Sequence, residues 1–145
     1  MTSTTIFVLN GPNLNLLGTR EPEIYGHDTL DDIAGRLEDQ ARGLGLTIDM
    51  RQSNHEGHLI DWLHEANAVG AKAALLNAGG FTHTSIAIHD AIKAIKVPVI
   101  EVHLSDPHKR EEFRHLSYVG MAAVACFAGH GATSYTLALD AAAKL

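Results

Sequence analysis

Short apolar runs alternate along the chain with segments whose apolar residues recur every three or four positions. Thr5–Asn10 is apolar over most of its length and predicts a buried strand. Leu30–Leu44 carries Leu30, Ile33, Ala34, Leu37, Ala41 and Leu44 on one helical face. Thr29 and Asp32 have the spacing of a capping box at its start, and Gly45 supplies a stop. Leu46–Gln52 predicts a second strand. Ser53 and Glu56 repeat the capping-box spacing before a helix carrying Leu59, Leu63 and Ala66. Ala73–Asn77, Pro98–Leu104 and Ala122–Phe127 predict the third, fourth and fifth strands. Helices are expected from about Ser85 to Ile95, with Ile88, Ala91, Ile92 and Ile95 inward, and from about Thr133 to Lys144. A short helical turn is expected over Lys109–Arg114.

Strands alternating with helices imply a parallel sheet covered on both faces. The expected fold class is therefore α/β: a flavodoxin-like three-layer sandwich with a five-stranded parallel sheet, order 2-1-3-4-5, as one domain over residues 1–145. In such sheets ligands sit beyond the carboxyl ends of the strands, where the order reverses. The residues expected there are polar or glycine-rich: Asn10-Gly11-Pro12-Asn13, Ser53-Asn54, Asn77-Ala78-Gly79-Gly80, His103-Leu104-Ser105 and Gly129-His130. Strands one and three flank the reversal, which brings Asn13 and Asn77 together.

Composition narrows the function classes. A hydrophobic fraction of 46 % over 145 residues suits a folded domain with its own core. The formal net charge of −6 argues against a nucleic-acid surface, though a few local cations could still bind a carboxylate. Cys126 stands alone in the apolar run Met121–Ala128, so no intrachain disulfide can form and a buried, inert thiol in a reducing compartment is expected. No signal peptide is evident at Met1–Thr5, and no apolar run is long enough to span a membrane.

Four segments could carry chemistry. The loop Gly18–Gly26 is bounded by glycines, as mobile lids often are, and would carry Arg20 and Tyr25 over the strand ends. A phenol titrates near pH 10, so ionisation at neutral pH needs about 4 kcal/mol of help, and a nearby guanidinium can supply it. An exposed tyrosine with a solvated arginine is the plainer alternative. In Ile100-Glu101-Val102-His103, residues two apart on a strand share a face, so Glu101 and His103 are neighbours. A carboxylate beside an imidazole fixes its tautomer and favours its protonated form, which suits a general acid. A structural pair is the alternative, but a buried Glu is costly unless it is paired.

In Asn77–Ser85, glycines after a strand let backbone amides approach a ligand and a helix start favours an anion. The alternative is an ordinary turn capped by Thr82 or Thr84. No Lys-Ser/Thr pair follows, so nucleotide phosphate is not indicated. After His103, Ser105 and free amides could hold a carboxylate and Arg114 could reach oxygens. Arg110 and Arg114 otherwise read as surface charges one helical turn apart, balancing Glu111 and Glu112, and for Arg110 that surface role is the expectation. Ten histidines raise the question of a metal, but His55, His58 and His64 lack a third-ligand pattern of known kind and no metal is expected.

Leu9–Asn15, Arg20–Gly26, Gln52–Gly57, Asn77–Gly80 with His83–Ser85, and Pro98–Ser105 together resemble the type II 3-dehydroquinate dehydratases, in the same order and over nearly the whole chain. The resemblance implies anti elimination of water from 3-dehydroquinate to give 3-dehydroshikimate through an enolate, without a cofactor, in the shikimate pathway. It implies that Tyr25 takes the proton beside the ketone, that Arg20 keeps Tyr25 ionised, and that Asn13 holds a water against the enolate. His103 would protonate the departing hydroxyl, oriented by Glu101. Asn77, Ser105 and the amide of Leu104 would bind the substrate carboxylate and nearby oxygens, His83 and Arg114 would hold ring hydroxyls, and Asp90 would reach in from a neighbouring subunit. The implied assembly is a homododecamer, a tetramer of trimers, in the cytoplasm, with neither nucleic acid nor membrane as partner.

The chain departs from the family pattern near Ser134-Tyr135, where it keeps only the Tyr of the usual Gly-Tyr, and over Cys126–Gly131. Two other functions fit less well. A flavin-binding module would want hydroxyls after strand one, where this chain has Gly11-Pro12-Asn13-Leu14-Asn15. A receiver domain would need acidic residues where Asn10 and Asn77 stand. A catabolic role in quinate breakdown uses the same reaction and is not separable by sequence.

Overall fold

The computed structural model describes residues 3–19 and 21–145. Five parallel strands, β1 (Thr5–Asn10), β2 (Thr47–Gln52), β3 (Ala73–Asn77), β4 (Val99–His103) and β5 (Ala125–Ala128), form one sheet in the order β2-β1-β3-β4-β5. The helices are α1 (Pro22–Tyr25), α2 (Leu30–Leu44), α3 (Glu56–Ala68), α4 (Ile86–Ala94) and α5 (Thr133–Ala143). The order and the alternation are those expected from the hydrophobic pattern.

Successive side chains of a strand point to opposite faces, and the two cores divide accordingly. Ile6 and Val8 of β1, Leu75 of β3 and Ile100 and Val102 of β4 pack with α2 and α5. Phe7 and Leu9, Ala74 and Leu76, and Val99 pack with α3 and α4. Helix α2 begins as expected: the Thr29 hydroxyl accepts from Asp32 N–H and the Asp32 carboxylate from Thr29 N–H. Gly45 ends it in the left-handed region at φ 70°.

Several expectations are corrected. Ser53 does not cap α3. His55 occupies the cap position, the Ser53 hydroxyl accepts from His55 N–H, and Glu56 instead accepts from Ser85 Oγ. Lys109–Arg114 is not a helical turn but parts of two 3₁₀ turns, Pro107–Lys109 and Glu112–Arg114. β5 starts three residues later than expected, because Ala122 and Ala123 turn back to hydrogen-bond Val119. Cys126 lies on this short edge strand and is exposed, not buried.

A buried polar tie joins the two central strands below their ends. Tyr135 of α5 is fully buried, donates its hydroxyl to Asn10 Oδ1 at 2.7 Å, and accepts from Asn77 Nδ2 at 2.9 Å. Just above, Gly11 N–H donates to Asn77 O at 2.8 Å. The backbones are so close there that a Cβ on Gly11 would lie 2.4 Å from Ala78 O. Gly11→Ala should therefore destabilise the protein by about 3 kcal/mol, read from the urea midpoint, since neither backbone can yield without breaking the strand register.

Candidate active site

The carboxyl ends of β1, β3 and β4 open into one cleft, at the point where the strand order reverses. It is lined by Asn13 and Leu14 after β1, Asn77, Gly79, Gly80 and His83 after β3, and His103, Leu104 and Ser105 after β4. Tyr25, Arg110 and Arg114 close its rim. Among the described residues two arginines and no carboxylate line it, in a chain of net charge −6. An anion is thus favoured where the surface as a whole repels one.

His103 and Glu101 stand on the same face of β4. His103 Nε2 lies 2.6 Å from Glu101 Oε2, and both side chains are buried. Burial alone would push the Glu101 carboxyl up. The bonds from His103, Ser117 and Cys126 outweigh it and hold the group below its ordinary value, so Glu101 is a carboxylate. A carboxylate accepts, so Nε2 of His103 carries a proton and Nδ1 is left for the cleft.

His83 Nδ1 lies 2.8 Å from the Leu116 carbonyl, which can only accept, so Nδ1 donates and Nε2 of the neutral ring is an acceptor. Burial holds this imidazole below its ordinary pKa of 6.5, and His103 and Arg114 add to the effect against the Leu116 bond. A base with a depressed folded pKa stabilises the fold fully above 6.5, and the contribution fades as pH falls through the folded value.

Tyr25 ends α1 and is half-buried, with the Arg110 guanidinium over its ring at 5.1 Å from the centroid. Arg110 also donates to Ser105 Oγ at 3.3 Å, and its side chain is 15 % exposed. The surface position expected for Arg110 is corrected, since it lines the cleft after the 3₁₀ turn Pro107–Lys109, but it still balances Glu111, whose Oε1 lies 3.8 Å from its Nε. Arg114 stays at the rim and donates to Glu111, whose carboxyl is held below its ordinary value by its own backbone amide first and by Arg114.

Asn13 is left-handed at φ 70° and is pinned by Asn54 Oδ1, which accepts its N–H at 3.0 Å. Asn77 lines the cleft, but its side chain is already bonded to Tyr135 and to Gly79 N–H. Asp90 is exposed on α4 and does not line this cleft. Arg20 lies outside the described residues. Among the described residues no three His, Cys, Asp or Glu side chains are grouped to hold a metal ion, and no helix is long and apolar enough to cross a membrane. Ser117 is a site residue the sequence did not single out, and Arg110 one it assigned to the surface; no spacing rule marks Ser117, since it meets Glu101 only through the fold.

A doubly wound α/β sheet thus brings Tyr25, the Glu101-paired His103, Arg110 and Arg114 to one cleft at the carboxyl ends of its central strands. Residues 4–143 match the family model described as Dehydroquinase class II. A 3-dehydroquinate dehydratase of Rhodopseudomonas palustris (strain BisA53) is 56 % identical over 97 % of this chain and 94 % of its own length. One of Caulobacter vibrioides is 58 % identical over 94 % and 93 %. The crystal structure of type II dehydroquinase from Propionibacterium acnes superposes with a TM-score of 0.94 at 43 % identity, covering 99 % of each chain. The chain belongs to the class II dehydroquinase family and is a lyase of that family.

Proposed function

We propose that the protein removes water from 3-dehydroquinate by anti elimination, giving 3-dehydroshikimate through an enolate, in aromatic biosynthesis or in quinate breakdown. The observation that carries this reading is the cleft itself, which Tyr25 and His103 line together with Arg110 and Arg114, with Glu101 bonded to His103 behind it. Tyr25 takes the proton from the carbon beside the ketone. The electron pair moves onto the ketone oxygen, where Asn13 holds a water against the developing charge. The His103 imidazolium then gives its Nδ1 proton to the departing hydroxyl, which leaves as water as the double bond forms, while Nε2 keeps its own proton directed at Glu101. Glu101 stabilises the imidazolium from behind.

Arg110, over the Tyr25 ring, shares with Arg20 the task of favouring the phenolate. Leu104, Ser105 and Asn77 receive the carboxylate, and His83 and Arg114 the ring hydroxyls. Asp90 serves the cleft of a neighbouring subunit in a homododecamer built as a tetramer of trimers, a role its exposed position on α4 permits. No step uses a cofactor.

The test is to add 3-dehydroquinate and follow near-ultraviolet absorbance, with and without chelator, since the product is a conjugated enone carboxylate. Absorbance should rise equally in both. Folded protein that leaves the substrate unchanged would show that the scaffold has been kept while the reaction has moved. Arg110→Ala should lower kcat by about tenfold to a hundredfold, the cost of removing one cation from beside the tyrosinate that acts as base. An unchanged kcat would remove Arg110 from the activation of Tyr25.

A further inference from the structure

The β4 face that carries Glu101 is unusual for this sheet. Its other members, Val99 on β4 and Leu76 on β3, pack under α3 and α4. At the carboxyl end of β4 the segment after the 3₁₀ turn Glu112–Arg114 covers that face, with Val119, Ala122 and Ala123 joining the core there. Ser117 is the residue this segment presents to the carboxylate. Its hydroxyl donates to Glu101 Oε2 at 2.6 Å, the same oxygen that holds His103 Nε2. The hydroxyl is itself held, because Gly120 N–H donates to Ser117 Oγ at 2.8 Å. The turn presses on the carboxylate so closely that a Cβ on Gly120 would lie 2.8 Å from Glu101 Oε1.

From this geometry we infer that Ser117 is a positioning residue for the acid: it fixes the Glu101 carboxylate that in turn fixes the His103 ring. The inference rests on His103 acting as the proton donor. A carboxylate with one buried partner can swing about its last bond. Two donors on one oxygen define the direction of the imidazole N–H bond, and hence where the opposite nitrogen points. The Cys126 thiol lies beside Glu101 in the β4–β5 register. Partial desolvation against the sheet edge first, and then the Glu101 charge, push that thiol up to about 12, so it is protonated at neutral pH and not a nucleophile.

The experiment is steady-state kinetics of Ser117→Ala and Ser117→Thr in the native and Glu101→Ala backgrounds. Ser117→Ala should lower kcat about tenfold, within the range found for supporting residues of this kind, with KM little changed. Its acid limb of kcat/KM should move to higher pH, because the carboxylate has lost a bond that favours its charged form. Ser117→Thr, which keeps the hydroxyl, should recover most of the rate. In the Glu101→Ala background, Ser117→Ala should cost almost nothing more, since its effect passes through the missing carboxylate. A native kcat in Ser117→Ala, an unmoved acid limb, or a full loss repeated in the Glu101→Ala background overturns the inference. If Glu101→Ala and His103→Ala are themselves unimpaired, the acid assignment fails. If they are slow and Ser117→Ala is not, only the role of Ser117 fails.

Discussion

Tyr25→Phe will lower kcat by about 10³- to 10⁴-fold while leaving substrate affinity nearly unchanged. The ring remains, so the packing of Tyr25 against the α2–α5 core and the Arg110 stack remain with it. Only the oxygen that would take the proton is lost. Asn77, Leu104, Ser105, His83 and Arg114 still line the cleft, so the contacts proposed for the substrate's carboxylate and hydroxyls are kept. Dissociation constants measured by calorimetry beside kcat check both halves of the prediction. A large fall in affinity with a modest fall in kcat would make Tyr25 a binding residue, and another base would have to be sought.

His103→Ala will cost about as much, on the order of 10³-fold in kcat, but it will fail at a different step. If an enolate forms first, proton removal by Tyr25 does not need His103. The variant should therefore still exchange the hydrogen beside the ketone with deuterium from solvent, without releasing water. Tyr25→Phe should lose exchange and elimination together. Proton magnetic resonance of the substrate in deuterium oxide reads both rates in one sample. Exchange abolished in both variants would mean a concerted elimination, in which base and acid act in one transition state.

Much of this arrangement was legible in the chain. The two-residue spacing of Glu101 and His103 places both on one face of a strand, and the cost of a buried Glu called for a partner. Asn13 and Asn77 line one cleft because strands one and three flank the reversal of order, which follows from the alternation of elements together with the strand order usual for such a sheet. Arg110 was misread because its four-residue spacing from Arg114 matches a helix, whereas the backbone makes two 3₁₀ turns and turns Arg110 inward. Cys126 was misplaced because an apolar run reads as buried whether its strand is central or at an edge, and β5 is an edge. The Tyr135 tie to Asn10 and the Ser117 bond to Glu101 join residues 125 and 16 positions apart, and no local pattern encodes them.

The proposed acid and the proposed base stand on parts of the molecule with unequal anchorage. His103 closes a strand whose five residues are all buried. Tyr25 closes a four-residue helix, and none of the residues described from Glu21 to Leu30 is fully buried. Local opening free energy follows buried contacts. Amides of β4 should then exchange with solvent only through global unfolding, while those around Tyr25 exchange in brief local openings that leave the sheet intact. In time-resolved terms the proton donor is a fixture and the proton acceptor a visitor. Bound substrate should slow exchange mainly around Tyr25.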